Sequence, residues 1–364
     1  MSMLVKRFAL ILCVIVFIIS CLSLGGCNVQ SDDDFIVIVD MLGEEVQVKK
    51  NPSKVACVSR STVDLLIAFG LGDVVDGTHD RIIDGNPWTS EIYPESENFY
   101  RYAYEESVET FFEREIDLIF SPEKRLADAL RERGLPAATV SLYGQPNFDS
   151  WIFYFADLCK QLWGERPGVT EKINAWKSEF QEAIDEVTSV LEENNVEVTQ
   201  KFYYVRGDRD GRGINYTDTQ GCFLQTICKF LKVDFIVFEN NRPSTEAILA
   251  EDPNIIAIGG TWQAKIYDEI ITKPELQTID AIKNHENGKV FTIPVGFTPF
   301  EQISALSPVF IYYMANNIYP QFFTYDINAL IKEAYENYFN IVITTEQANY
   351  IENGLNINGE ALHE

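Results

Sequence analysis

Histidine is nearly absent from this chain: His79, His285 and His363 are the three in 364 residues, far apart in sequence. No Cys-x-x-Cys occurs either, so a structural zinc site or a histidine-based catalytic triad lacks its usual raw material. Gly-x-Ser-x-Gly and His-Glu-x-x-His are missing, which removes the common hydrolase and metalloprotease signatures. Basic residues are scarce, 29 against 55 acidic ones, for a formal net charge of −26. A surface of that sign repels phosphate backbones and anionic lipid, so no nucleic-acid partner is expected. Of seven cysteines, Cys13, Cys21 and Cys27 crowd the start, and Cys57, Cys159, Cys222 and Cys228 are too few for a disulfide scaffold. Cys57 sits in the apolar run Val55–Val58 and Cys159 in a helical pattern, so both read as small buried hydrophobes. No cofactor and no resident metal is expected.

What the start of the chain does have is a basic pair, Lys6 and Arg7, an apolar run from Phe8 to Leu24, and then Leu24, Gly25, Gly26 and Cys27. Ser20 and Ser23 interrupt the run, which at ~1.5 Å rise per residue sits at the short edge of a bilayer span. It reads as a cleaved export signal. Its ending resembles the bacterial lipoprotein box, which makes Cys27 the expected lipidation site. Asn28 to Asp34 is polar and acidic without periodicity, suited to a tether. Without residues 1–26, and so without Lys6 and Arg7, 338 residues with a net charge of −28 remain, enough for two domains.

Phe35–Val39 and Glu45–Val48 predict a hairpin around Leu42 and Gly43. Val55–Ser59 predicts a strand, and Ser61 to Asp64 a capping pattern opening a helix over Val63–Phe69. The alternation continues with Asp117–Phe120, a helix over Glu123–Arg133, and Ala138–Leu142. Short apolar strands alternating with helices predict a parallel sheet covered on both faces. From Trp151 the pattern turns helical, breaks at Gly164 and at Pro167 and Gly168, then runs from Val169 to about Glu193. Strand and helix alternate again through Lys201–Val205, Phe223–Leu231, Phe235–Phe238, Ile255–Ile258 and Val290–Ile293. Sliding the chain on itself aligns Ser107–Phe120 with Ser244–Ala257 without gaps, an offset of 137. This predicts duplication: α/β, two Rossmann-like lobes joined by a single long rigid helix. The expected divisions are a signal peptide over 1–26, an acidic tether over 27–34, an N-terminal lobe over 35–150, a linking helical segment over 151–195, and a C-terminal lobe over 196–364.

Several segments together resemble the extracytoplasmic solute-binding proteins of ABC importers for ferric siderophores, cobalamin and haem. They are Asp40–Val46, Asn51–Val55, Ser61–Gly72 with Val74–Gly77, then Ser244–Gly260, Pro274–Leu276, Ala281–Asn284 and Gly288–Pro294, in family order. The resemblance implies a ligand held between two lobes with little hinge closure. It also implies one exposed glutamate per lobe docking on arginines of the membrane permease. Those glutamates map to Glu109 and Glu246, the pair that the internal repeat already matches; a carboxylate in a first helical turn also suits the helix dipole in any protein.

In open α/β sheets ligands gather at the carboxyl ends of strands. The loops there offer Arg60, His79, Arg81, Trp88, Tyr100, Arg101, Tyr102, Tyr104 and Tyr143 in the first half, and Arg206, Arg212, Tyr216, Trp262 and Phe297 in the second. Aromatics beside guanidiniums suit bulky, partly flat anionic chelates. Tyr100, Tyr102 and Tyr104 also fit one face of an edge strand, and Arg81 and Arg101 also fit surface ion pairs. Asp208 to Gly211 matches a calcium loop only in part. The function expected is a lipid-anchored receptor on the extracytoplasmic face of the cell membrane, monomeric and not an enzyme. It would pass a metal chelate, ferric siderophore foremost, to an ABC permease and its ATPase. Cobalamin, haem and molybdate-type oxyanions are the alternative cargoes. An anchored extracellular hydrolase, its carboxylate pair hidden among the acidic residues, and a ligand sensor are the readings from other classes.

Overall fold

The computed structural model describes residues 34–83, 85–141, 152–207 and 211–363. The export signal, Cys27 and Tyr143 lie outside the described residues, as does the side chain of Arg60. The chain divides after Ile36, and the packing below is that of the larger compact unit, Val37–Glu364.

β1 (Phe35–Val39) and β2 (Glu45–Lys49) form a two-stranded sheet. Its turn is built on one buried carboxylate. Asp40 Oδ1 accepts from the backbone N–H groups of Leu42 and Glu44, at 2.9 and 3.0 Å. Its Oδ2 accepts from Thr139 N–H at 3.1 Å and from Arg131 at 3.2 Å. Four donors satisfy a fully buried acid, and they tie the hairpin to the last strand of the first sheet.

That sheet holds β3 (Val55–Cys57), β4 (Val75–His79), β5 (Tyr100–Tyr102), β6 (Leu118–Ser121) and β7 (Ala137–Thr139) in the order β5-β4-β3-β6-β7. All its pairings are parallel. Around it lie α1 (Arg60–Ala68), α2 (Asp80–Ile83), α3 (Trp88–Ile92), α4 (Val108–Glu113) and α5 (Lys124–Arg131). α6 (Tyr154–Trp163) and the 25-residue α7 (Val169–Glu193) follow. The second sheet has β8 (Lys201–Arg206), β9 (Asp234–Phe235), β10 (Ile255–Gly259) and β11 (Val290–Thr292), in the order β11-β10-β8-β9, again parallel. Its helices are α8 (Phe223–Phe230), α9 (Thr245–Glu251), α10 (Gln263–Thr272) and α11 (Asp280–Lys283), followed by α12 (Ser307–Ile318), α13 (Ile327–Phe339) and α14 (Thr345–Glu352). The expected two α/β lobes with one long helix between their sheets is the architecture found.

The repeat is visible in the geometry. Ser107 and Ser244 cap α4 and α9, each hydroxyl accepting from the N–H three residues on, at 3.2 Å in both. Both helices stop at a left-handed non-glycine residue, Glu115 (φ 56°) and Asp252 (φ 46°), again 137 apart. Asp117 N–H then bonds Lys54 O at 2.8 Å, and Asn254 N–H bonds Lys201 O at 3.0 Å. Both lysines reach back to the end of the helix: Lys54 Nζ to Arg114 O at 2.5 Å, Lys201 Nζ to Glu251 O at 3.0 Å. A cation on the last carbonyls of a helix opposes the negative end of its dipole.

The long helix buries one stripe: Val169, Ile173, Trp176, Phe180, Ala183, Val187 and Leu191 at steps of four and three, with Ile184 widening it beside Ala183. It touches both lobes. Trp176 meets Phe69 after α1 edge-on at 5.8 Å, and Phe180 meets Phe223 of α8 at 6.2 Å. The Trp176 indole N–H is shared by the carbonyls of Ser304 and Ala305, at 3.2 Å each. At the same junction Asp64 Oδ1, from α1, accepts Ala305 N–H at 2.6 Å.

One local expectation fails here. α1 begins at Arg60 behind Ser59, with no side-chain cap; the Ser59 hydroxyl is spent on Val140 O at 2.9 Å, and Asp64 is buried instead of capping. A capping pattern read from sequence assumes a solvent-exposed helix start, and this one is packed between sheet and lobe junction.

Burial raises the Asp64 carboxyl to about 7, and its Oδ2 has no hydrogen-bond partner among the described residues. An acid whose pKa rises on folding binds its proton more tightly in the folded state. Stability therefore falls as pH climbs from the ordinary carboxylate value to about 7 and is level above. Asp64→Asn keeps an acceptor for Ala305. The variant is expected to gain on the wild type across that window, with a slope approaching about 1.4 kcal/mol per pH unit. Denaturant unfolding at about pH 5 and pH 8 checks this; an equal difference at both would refute it.

Candidate functional site

Strand order reverses between β3 and β6 in the first sheet and between β8 and β10 in the second, which makes their carboxyl ends the places for a ligand. Asn86, past β4, donates its Nδ2 to Gly296 O and Phe297 O, past β11, at 2.7 and 3.1 Å. The carboxyl edges of both sheets thus turn toward one junction.

At the second switch point the backbones nearly touch. Gly207 N–H bonds Gly259 O at 2.9 Å and Trp262 N–H bonds Gly207 O at 2.8 Å. A Cβ on Gly207 would lie 2.3 Å from Gly259 O, so glycine is required there. Arg206, the last residue of β8, donates its backbone N–H to Tyr216 O at 2.8 Å and its Nη1 to the buried Asp218 at 3.1 Å. Its guanidinium carbon lies 5.4 Å from the Tyr216 ring centroid, and that of Arg212 lies 4.3 Å away. Two guanidiniums thus converge on one aromatic ring. Trp262 is half-buried, with Lys265 Nζ 5.6 Å from its ring centroid and the His363 ring stacked on it at 4.5 Å and 23°. Below them the Tyr204 hydroxyl donates to Glu301 at 3.3 Å, beside Gly259.

In the first lobe His79 ends β4. Its Nδ1 accepts Arg81 N–H at 3.1 Å and lies 2.9 Å from Asp80 Oδ1, the partner it would donate to if protonated. Its ring meets Tyr104 edge-on at 5.8 Å. Tyr104 is 41% exposed and donates to Glu123, while Arg125 donates to Glu105 at 2.5 Å. Tyr100 lies under the Arg114 guanidinium at 4.2 Å.

The structure brings Arg206 and Arg212 together on Tyr216, whose own ring is buried so that the partly accessible guanidiniums are what face outward, with Trp262 joined to Arg206 through Gly207, and it pairs His79 with Tyr104. It removes others from the ligand-facing set. Tyr102 is fully buried in the edge strand β5, stacked on Phe111 at 5.1 Å, its hydroxyl donating to Asp76 at 2.5 Å. Burial works to raise Asp76, but hydrogen bonds from Arg114, at 2.7 and 2.9 Å, and from Tyr102 outweigh it and hold the acid below its usual range. This is a structural ion pair. Trp88 is 0% exposed, its indole N–H donating to Leu355 O at 2.8 Å. Phe297 is buried on Phe339 at 5.5 Å. Arg101 is exposed and donates to Glu97 O and Phe99 O, while Arg81 is exposed within α2. Asp218, Gly207, Lys265 and His363 were not signalled as site residues by sequence: Gly207 and His363 gain their places from the distant Gly259 and Trp262, and Asp218 and Lys265 from local turns that bring them to Arg206 and Trp262. All four body cysteines are buried free thiols, and among the described residues no cluster of three metal-ligating side chains occurs. No described helix is long and apolar enough to cross a membrane.

Glu109 and Glu246 are exposed in the first turns of α4 and α9. Hydrogen bonds from its own backbone N–H and from the Ser244 hydroxyl hold Glu246 below the ordinary carboxylate range.

No family model and no curated protein matches the sequence. Solved structures do match the fold. The molybdate periplasmic binding protein MolA of Haemophilus influenzae, with molybdate bound, superposes at TM-score 0.70 and 14% identity, covering 85% of this chain and 99% of its own. CeuE of Helicobacter pylori, solved as a Ni-His complex, gives 0.67 and 18%, with coverage of 87% and 99%. The petrobactin-binding protein YclQ of Bacillus subtilis gives 0.56 and 16%, with coverage of 78% and 97%. The fold is that of the class III, TroA-like periplasmic solute-binding proteins.

The close approach at the switch point is directly testable. Gly207→Ala is expected to lower stability by about 1–3 kcal/mol, since backbone rather than a flexible side chain stands in the way. A denaturant midpoint unchanged from wild type would contradict that packing.

Proposed function

We propose that the chain is a lipid-anchored, extracytoplasmic substrate-binding protein of an ABC importer, holding a metal chelate between its lobes. The observation that carries the reading is the convergence of Arg206 and Arg212 on Tyr216, beside Trp262, at the switch point of the second sheet. In a chain of net charge −26, fixed cations and the partly accessible indole of Trp262 meet at the place where open α/β sheets take ligands. That combination suits an anionic, partly flat cargo, and a ferric siderophore is the first choice. The fold is shared with proteins whose names or bound ligands are petrobactin, Ni-His and molybdate. No catalysis is part of this reading. The lobes correspond to residues 35–150 and 196–364, linked through 151–195, with 1–26 as signal and 27–34 as tether. Cys27 carries the lipid, which holds the receptor at high effective concentration beside its permease.

Docking on that permease falls to Glu109 and Glu246, with Phe112, 52% exposed one turn after Glu109, as an apolar neighbour and Leu249 at its repeat-related position. Reversing both charges, Glu109→Arg with Glu246→Arg, is expected to abolish uptake into cells while leaving ligand affinity unchanged. Loss of affinity in the double variant would instead tie those residues to the ligand site.

Cargo is tested by titrating the purified mature protein with ferric siderophores, cobalamin, haem and molybdate, following tryptophan fluorescence. An anionic chelate should bind, and Arg206→Ala should weaken it by about 1.5–3 kcal/mol, the range for a hydrogen bond to a charged group. No micromolar binding by any of the panel, with turnover of a polymer instead, would favour the hydrolase reading.

A further inference from the structure

Residues 354–363 form a strap over the lobe junction and end on the candidate site. α14 stops at Glu352, and Gly354 turns the chain at φ +64°, where a Cβ would lie 1.5 Å from Gln263 Nε2. Gly354 O accepts from that amide at 3.5 Å, and Gln263 Oε1 in turn accepts Ile293 N–H at 3.0 Å, which anchors the strap to the second lobe. Leu355 O accepts the Trp88 indole N–H of the first lobe at 2.8 Å. Beyond this double anchor the strap folds back on itself. Leu355 and Ala361 form an antiparallel bridge, and Asn356 Oδ1 accepts from the N–H groups of Asn358 and Glu360 at 2.8 and 3.0 Å. The fold-back delivers His363 onto Trp262, ring on ring, at 4.5 Å. Trp262 is itself pinned to the switch point through Gly207 O.

The two ends of the strap are held differently. Residues 354 and 355 are fixed by side chains that are buried and hydrogen-bonded, Gln263 and Trp88. Around His363 the described contact is a stack between a partly buried imidazole and a partly buried indole. Burial also holds the imidazole below its ordinary pKa, favouring the neutral ring, which stacks without a charge to desolvate.

We propose that His363 is a built-in cover on Trp262: the strap keeps the indole face occupied in the empty receptor, and a flat group of the ligand displaces the imidazole while the anchor at Gly354 and Leu355 stays. This rests on the reading of Trp262 as a ligand-facing residue. It makes His363 a determinant of affinity and of selectivity for cargoes with a planar, stackable part.

The test uses the full-length protein in detergent, with Trp262→Phe measured alongside so that the other tryptophans can be subtracted. In His363→Ala, acrylamide should quench Trp262 more strongly than in wild type; unchanged quenching overturns the cover. The ferric complex of 2,3-dihydroxybenzoate, a planar anionic probe, should bind His363→Ala about two- to tenfold more tightly, the span set by one aromatic stacking contact. Equal or weaker binding by the variant overturns the cover and leaves the importer reading intact. Increased quenching with no binding of this probe or of the cargo panel by either protein overturns the importer reading and leaves His363 covering a site for another ligand.

Discussion

The apolar stripe of the long helix is the constraint on which the remaining geometry depends. Eight side chains from Val169 to Leu191 are buried on one face, at roughly 1.5–3 kcal/mol for each large one, and that face is shared by both lobes. Trp176 in its first half packs against Phe69 from the first lobe, with its indole N–H bound to the chain ahead of α12. A helix packed on two bodies at once fixes their mutual orientation, because rotating either lobe would uncover part of the stripe. The buried Asp64–Ala305 hydrogen bond adds direction to that packing, as polar groups removed from water tolerate few partners. The consequence is a junction with little freedom, into which both sheets turn their carboxyl edges.

One small device is used twice, once in each lobe. A serine-capped helix with a glutamate in its first turn ends in a left-handed residue and feeds a buried strand, while a lysine at the head of the neighbouring strand reaches the helix's last carbonyls. The left-handed residues are not glycines, Glu115 and Asp252, so each turn carries some backbone strain that the surrounding bonds hold in place. Duplicating a capped helix duplicates the position of its first-turn carboxylate. Paired glutamates on the surface therefore follow from the architecture as soon as the lobes are related by repetition, before any question of what they bind.

The candidate site uses charge against the grain of the chain. Acidic side chains dominate the surface, yet two guanidiniums gather on Tyr216, one of them tied to the buried Asp218. Such an arrangement pre-orients the cations, and both Arg206 and Arg212 are partly accessible. Glycine at 207 lets two backbones close to hydrogen-bonding distance, and that contact holds Trp262 beside the arginines. The strap ending at His363 then completes the surroundings of the indole from a segment roughly a hundred residues further along the chain.

Local patterns in the sequence were sufficient for the α/β alternation, the hairpin at the start of the described chain, the long helix over Val169–Glu193 and the repeat between Ser107–Phe120 and Ser244–Ala257. These depend on periodicity, turn residues and capping, which act over a few neighbours. The same kind of reading failed at Ser61–Asp64, where the helix already begins at Arg60 and Asp64 is buried against Ala305, and at Trp88, Tyr102 and Phe297, whose rings are buried although their positions near strand ends suggested exposure. By itself the sequence determined the elements, their duplication and the sign of the charge, because backbone propensity and amphipathic spacing are local. Only the tertiary structure decided which aromatics face the junction and which fill the core, and it alone joined Trp262 to Gly207 and to His363: burial and contact depend on what folds back against each residue, and those partners lie up to 267 positions away.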